Sequence, residues 1–219
     1  MAVSIEQYAQ AQKQAYTQAR RHLQIWLKKN PNPTSHRLLQ QLHELANLYG
    51  GAASMLAAEW YDQWRKDNGI TLAYPDRPQS DPFTPEQIAH LLQTTGQTPD
   101  QLLTWMTSQR GRETLKARTK KDPAGVRWAR KPIGKTCAFC IMLAGRGAVY
   151  LTKQTAGYSD SYHPDCDCQP MPYRQQQPPA WTQQYLDMYQ QTGGNLAQMR
   201  RQFANQLTDG VHDDQEATK

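Results

Sequence analysis

The chain has 219 residues, of which 38% are hydrophobic, and its formal net charge at pH 7 is +6. The mean hydropathy of −0.85 predicts a modest apolar core beneath a wide polar surface. No apolar run approaches the roughly 18 residues of a membrane-spanning helix, and the polar N-terminus does not resemble a secretory signal. We therefore expect no membrane association and a site of action inside the cell during synthesis.

Residues 1–68 are predicted to form an N-terminal helical hairpin. Apolar side chains recur at alternating steps of three and four in residues 4–29, a proline-rich stretch follows at 30–33, and a second amphipathic helix comes after it. Gly50 and Gly51 lie inside this second helix, where each glycine costs roughly 1 kcal/mol relative to alanine. We expect either a bend there or the close approach of another backbone.

Residues 69–122 are predicted to form a connector, with a short strand at 70–73, followed by a middle helical pair. The two helices share one start signal, Thr-Pro-acid-Gln, at Thr84 and Thr98. In each helix the threonine can cap the first turn, the proline fits the first helical position, and the glutamine completes a capping box. The predicted pair therefore rests on local hydrogen-bonding chemistry.

Residues 109–135 are strongly basic, with ten Lys or Arg against one Glu and one Asp, a local charge of +8. Such a run could meet DNA phosphates or an acidic face of a neighbouring subunit. The alternative is a solvated helix end and a polar strand with no partner. The cations predicted to bind nucleic acid or a partner are Lys120, Lys121, Arg127, Arg130 and Lys131.

All four cysteines lie in one short segment. Cys137 and Cys140 form a C-x2-C pair, and after 22 intervening residues His163, Cys166 and Cys168 form H-x2-C-x-C. A two-residue gap lets one turn point both thiolates at a metal ion, and alternate residues of an extended segment face the same side. The pattern predicts a zinc site, with five candidate ligands for four tetrahedral positions.

Other interpretations of the cysteines stay open at this point. The thiols could form two disulfides, or they could be reduced and either inert or redox-active. A catalytic cysteine and histidine pair is a further alternative, although one activated thiolate does not need four clustered thiols. Zinc is favoured because a reducing compartment favours metal over disulfide.

The segment 123–174 is predicted to fold as a small α+β module clamped by the metal. Residues 126–129 alternate as a strand, a helical turn is expected at 141–143, and a second strand at 148–152. A module of this size buries little apolar area. A bound metal would therefore add stability that the core of the module lacks.

Residues 175–219 are predicted to form a helical C-terminal arm with a disordered tail. A Gln and Pro linker at 175–179 precedes a helix at 180–191, and Asn195 can cap a last helix that runs through Leu207. The polar, acidic end at 208–219 is expected to be disordered when alone. The fold class is therefore mainly α: a helical hairpin, a middle helical pair, the zinc-clamped module and the helical arm.

The cysteine segment also carries a family resemblance. The string C-x-F-C-x-M-L-A-x-R-G-x-V-Y begins at Cys137, and A-G-Y and Y-H-x-x-C-x-C follow it. This pattern resembles the Mu F-like minor head proteins, also called head morphogenesis proteins, of tailed phages of actinobacteria. The specific likeness covers roughly residues 127–172.

The resemblance implies a virion component, assembled in the host cytoplasm with portal and major capsid proteins and present in several copies per virion. Contact with packaged DNA is also implied. Some relatives are labelled capsid maturation proteases, so a protease is one alternative and a nucleic-acid-binding protein is another. The chain contains neither a G-x-S-x-G elbow nor an H-E-x-x-H helix. We therefore expect a structural protein rather than an enzyme.

Overall fold

The computed structural model describes residues 4–74, 76–133, 136–146, 166, 168–174 and 179–207. Within these ranges the chain forms seven helices and a two-stranded antiparallel sheet, which confirms the predicted mainly α fold. None of the described helices combines enough length with enough apolar character to cross a membrane. The elements are α1 (Ile5–Lys29), α2 (Ser35–Asp67), α3 (Pro85–Thr94), α4 (Pro99–Lys121), β1 (Val126–Lys131), α5 (Ala138–Gly145), β2 (Gln169–Arg174), α6 (Ala180–Gln191) and α7 (Leu196–Gln202).

The helices α1, α2 and α4 pack together, and we call them the helical body. Tyr8 of α1 stacks on Trp60 of α2, with ring centroids 5.1 Å apart, and Leu115 of α4 belongs to the same buried cluster. The fourth helix therefore completes the core that the predicted hairpin begins. The domain boundaries at residues 69, 123 and 175 stay predictions, but the packing of α4 crosses the first of them.

Local sequence decides where these helices begin. Thr84 and Thr98 accept hydrogen bonds from the backbone of the third helical residue, and Gln87 and Gln101 bond back to the caps, as predicted. Thr34 caps α2 in the same way, although without the reciprocal bond. These bonds satisfy N–H groups that have no partner within the helix.

The connector between α2 and α3 contains no strand in its described residues, so the strand predicted at 70–73 is wrong. The Ile70 amide donates to the carbonyl of Arg65 at the end of α2, and the Ile70 side chain is buried in the helical body. Tyr74 donates from its hydroxyl to the carbonyl of Arg118 on α4. The segment is held by these contacts with helices rather than by a neighbouring strand.

The helix α4 is buried along most of its length, and its polar side chains find partners inside the protein. Arg118 pairs with Asp62 at 2.8 Å and donates to the carbonyl of Ala58 at 3.2 Å. The basic run at 109–135 is consequently not a continuous charged surface, because five of its nine described cations are buried. These are Arg110, Arg112, Lys116, Arg118 and Arg130.

The C-terminal helices α6 and α7 pack against α5. The helix α6 approaches α5 so closely that a Cβ on Gly145 would lie 2.8 Å from the backbone nitrogen of Leu186. Met188 of α6 and Met199 of α7 share a buried cluster with Ile141 of α5. Both C-terminal helices are thus packed on α5 within the described residues.

The predictions for the second half of the cysteine segment and for the C-terminal end have different outcomes. The helix predicted at 180–191 is confirmed, whereas the last helix ends at Gln202, earlier than Leu207. The strand predicted at 148–152, most of the linker at 175–179 and the tail at 208–219 lie outside the described residues.

Candidate metal centre

The start of a helix and the start of a strand bring the cysteines together. Cys137 is the N-cap of α5, and Cys140 lies in the first turn of that helix. Cys168 directly precedes β2, which pairs antiparallel with β1 so that Arg130 lies opposite Pro170. We call the four cysteines Cys137, Cys140, Cys166 and Cys168 the cysteine centre.

Three of the sulfur atoms form a compact group. The Sγ atoms of Cys140, Cys166 and Cys168 lie within 4.8 Å of one another, and those of Cys140 and Cys166 are 3.5 Å apart. All four cysteines are buried and have free thiols, so the centre contains no disulfide. Three buried sulfurs at this separation could hold a metal ion.

Cys137 belongs to the same buried cluster, and Phe139 packs against it. Its Sγ accepts a hydrogen bond of 3.4 Å from the backbone N–H of Cys140, which satisfies one of the open donors at the start of α5. Hydrogen bonding with Cys140 lowers the pKa of Cys137 to about 7. The deprotonated thiolate, which is the form that binds metal, is therefore favoured at this position.

Burial has the opposite effect at Cys168. Desolvation is the main cause that raises the pKa of its thiol well above the ordinary value, and the neighbouring sulfurs of Cys140 and Cys166 raise it further. Several thiolates cannot share this volume by themselves, because like charges at close range disfavour one another. A divalent cation would reverse that balance and hold the sulfurs deprotonated. The donor set therefore fits a soft or borderline metal.

Two buried arginines approach the centre. The Nη1 atom of Arg130 lies 3.9 Å from the Sγ atoms of both Cys140 and Cys166. Arg112 of α4 donates from Nε to the carbonyl oxygen of Cys168 at 3.1 Å, and from Nη2 to the carbonyl oxygen of Cys166. The helical body thus fixes the backbone at two of the cysteines.

The predicted role of Arg130 in binding nucleic acid or a partner stays a prediction, but the fold does not present this side chain at the surface. The side chain is fully buried and contacts sulfur atoms. One sequence signal could have predicted the burial of Arg130. Side chains alternate between the two faces of β1, so Arg130 lies on the same face as the buried Val126 and Trp128. The sequence pattern gives no comparable signal for Arg112.

The other four predicted cations lie at the surface, where their nucleic-acid or partner role stays a prediction. Lys120 and Lys121 are exposed, whereas Arg127 and Lys131 are half-buried. Lys121 lies 3.6 Å from Asp76, and Lys131 forms an ion pair with Glu6 at 2.6 Å. The hydrogen bond from Lys131 is the main cause that lowers the pKa of Glu6.

The structure brings four of the five predicted metal ligands into one buried cluster. His163, the fifth, lies outside the described residues. The ligand set as a whole therefore stays a prediction.

Comparison with known proteins places the chain in a family. A family profile described as VG15 protein matches residues 2–192. No curated protein matches the chain, and no solved structure does. The matched range includes both the helical body and the cysteine centre, so it is wider than the segment that carries the resemblance described above.

Proposed function

Because the chain belongs to the VG15 protein family, a phage-associated family of virion genes, we propose that it is a structural head protein of a tailed phage. The family match over residues 2–192 is the observation that carries this proposal. The finer assignment is a minor capsid or head morphogenesis protein that associates with the portal or the major capsid protein. Several copies would be present in each virion.

The cysteine centre supports a structural use of zinc within this role. Buried thiolates are the ligands that structural zinc sites use, and such sites contribute directly to folding. A metal held there would join the start of α5 to the start of β2, and so connect the helical and extended parts of the module. We propose zinc as the metal, with stabilisation of this module as its purpose.

Elemental analysis of the full chain purified under reducing conditions tests the metal. We expect about one zinc per chain, as a single tetrahedral site requires. Cys168→Ser should lose the metal and lower the melting temperature, whereas Thr119→Ser, a buried change in α4, should keep the metal. A metal-free wild-type protein whose melting temperature does not respond to zinc or to a chelator contradicts the proposal.

Virion analysis tests the assembly role. Purified virions of the encoding phage should contain the chain at low copy, and cross-linking mass spectrometry should connect it to portal or major capsid protein. Heads assembled without the chain should be defective or absent. Complete virions that lack the chain would contradict the proposal. Cleavage of the major capsid protein by the pure chain would instead identify a maturation protease.

A further inference from the structure

We propose that the metal centre is a four-thiolate centre in which Cys137 is the fourth ligand, and that the guanidinium of Arg130 balances its charge. This inference rests on the metal site proposed above and names its ligand set.

The position of Cys137 is the first argument. Its side chain is buried in the same cluster as the three neighbouring sulfurs, and the first turn of α5 brings it to the same helix end as Cys140. The hydrogen bond from the Cys140 amide orients the Cys137 sulfur at the start of the helix. The Cys137 sulfur is not one of the three that lie within 4.8 Å of one another, so as the fourth ligand it would move toward them from its place in the same cluster.

The location of Arg130 is the second argument. Zinc with four thiolates carries a net charge of two minus, whereas zinc with three thiolates and a neutral imidazole carries one minus. A buried charge needs a compensating charge nearby, and a guanidinium keeps its proton even when it is buried. Arg130 is fully buried with one nitrogen 3.9 Å from two of the sulfurs, so the more negative ligand set gains more from it.

Arg112 adds a second positive charge to this effect. Its guanidinium donates to the backbone carbonyls of Cys166 and Cys168, and so places a second positive charge beside the two ligands. The same two bonds hold these cysteines in the orientation in which their sulfurs converge with that of Cys140. Outer contacts of this kind orient metal ligands and tune the charge of the centre.

X-ray absorption at the zinc edge of the wild-type chain tests the ligand set directly. We expect a single shell of four sulfur atoms at about 2.3 Å. A shell of nitrogen at about 2.0–2.1 Å overturns the inference. This measurement needs no variant, so it remains decisive even where a substitution disturbs folding. Wild-type protein without any metal overturns the inference together with the proposed metal site.

Two ligand variants give an independent result. His163→Ala should retain about one zinc per chain, whereas Cys137→Ser should lose it. His90→Ala, at an exposed position on α3, is the matched control for the histidine change. Retention of zinc by Cys137→Ser together with its loss from His163→Ala overturns the assignment, while leaving the proposed metal site intact.

Zinc affinity, measured by competition with a chromophoric chelator, tests Arg130. Arg130→Met should lower the affinity by about 10–100-fold, the range seen for outer contacts, and Arg130→Gln is a second neutral variant. Arg127→Met on the outward face of the same strand should leave the affinity unchanged. Arg130→Lys keeps the charge and should keep most of the affinity. Neutral variants that bind zinc as tightly as wild type overturn the charge-balancing role.

Discussion

Gly50 of α2 lies directly against the side chain of Arg110 on α4, since a Cβ on Gly50 would come within 2.8 Å of Arg110 Cγ. Arg110 is buried, and its Nε donates to Ser80 Oγ at 2.8 Å, so the side chain is held in place. A Cβ on Gly51 would have no atom within 4 Å. Of the two glycines, Gly50 therefore permits the close approach of a neighbouring helix, and Gly51 does not serve this purpose.

The glycine pair gives the first prediction. Gly50→Ala should lower the free energy of unfolding by about 1–2 kcal/mol, because overpacking outweighs the gain in helix propensity. Gly51→Ala should raise it by up to about 1 kcal/mol, because only the propensity changes. Urea unfolding of both variants measures the difference. Equal effects of the two changes would show that the contact with Arg110 carries no cost.

The second prediction compares two cations of α4. Arg118→Met should cost about 2–3 kcal/mol in unfolding free energy, because Asp62 and the Ala58 carbonyl lose a buried donor. The cost is below that of a fully buried pair because the Asp62 side chain is 28% exposed. Lys120→Met at the surface should change stability by less than about 0.5 kcal/mol. If Arg118→Met loses no more unfolding free energy than Lys120→Met, the ion pair between Arg118 and Asp62 does not stabilise the fold.

The third prediction concerns the contact between α5 and α6. Gly145→Ala should displace α6, because the new Cβ would meet the Leu186 backbone nitrogen at 2.8 Å and its Cα at 2.9 Å. Backbone atoms cannot rotate out of the way as a side-chain end can. Hydrogen exchange should become faster in α6 while α1 and α2 keep their protection, and Gly51→Ala serves as the matched control. Unchanged protection of α6 rules out this close contact.

The fourth prediction concerns the surface cations. The prediction applies if Lys120, Lys121 and Arg127 bind phosphates of duplex DNA. A plot of log affinity against log salt concentration then has a negative slope, and replacement of these residues by Gln should make that slope shallower. The expected change is about one for each phosphate that is no longer neutralised. Replacement of the exposed Arg21, Lys28 and Lys29 of α1 also removes three charges and is the control for net charge. Arg130 is left unchanged because it is buried. If the variant and the wild-type protein give equal slopes, these cations do not bind phosphates, and contact with a protein partner is the remaining predicted role.

Short-range chemistry is what the sequence determines by itself. The caps at Thr84 and Thr98 and the turn that joins Cys137 to Cys140 each depend on groups no more than three residues apart. The order of residues in such a segment is therefore enough to predict its geometry. The same is true of β1, whose alternating pattern predicts a strand.

The strand β2 shows where local signals fail. Pro170 and Pro172 lie inside it, and proline removes a backbone donor, so the sequence indicates no strand there. The structure still pairs this segment with β1 in an antiparallel ribbon that brings Gln169 opposite Lys131. Pairing was decided by the distant strand, and no local signal contains that information.

The burial of the charges on Arg118 and Arg130 depends on partners that the tertiary structure supplies. Arg118 and Arg130 occur in the same basic run as Lys120, and composition does not separate them. Arg118 is buried because Asp62 of another helix accepts its hydrogen bond, and Arg130 contacts the sulfurs of a later segment. A cation can lie inside a protein only where other parts of the chain supply its partners. The sequence therefore predicts the cysteine ligands, whereas the fold selects the arginine that faces them.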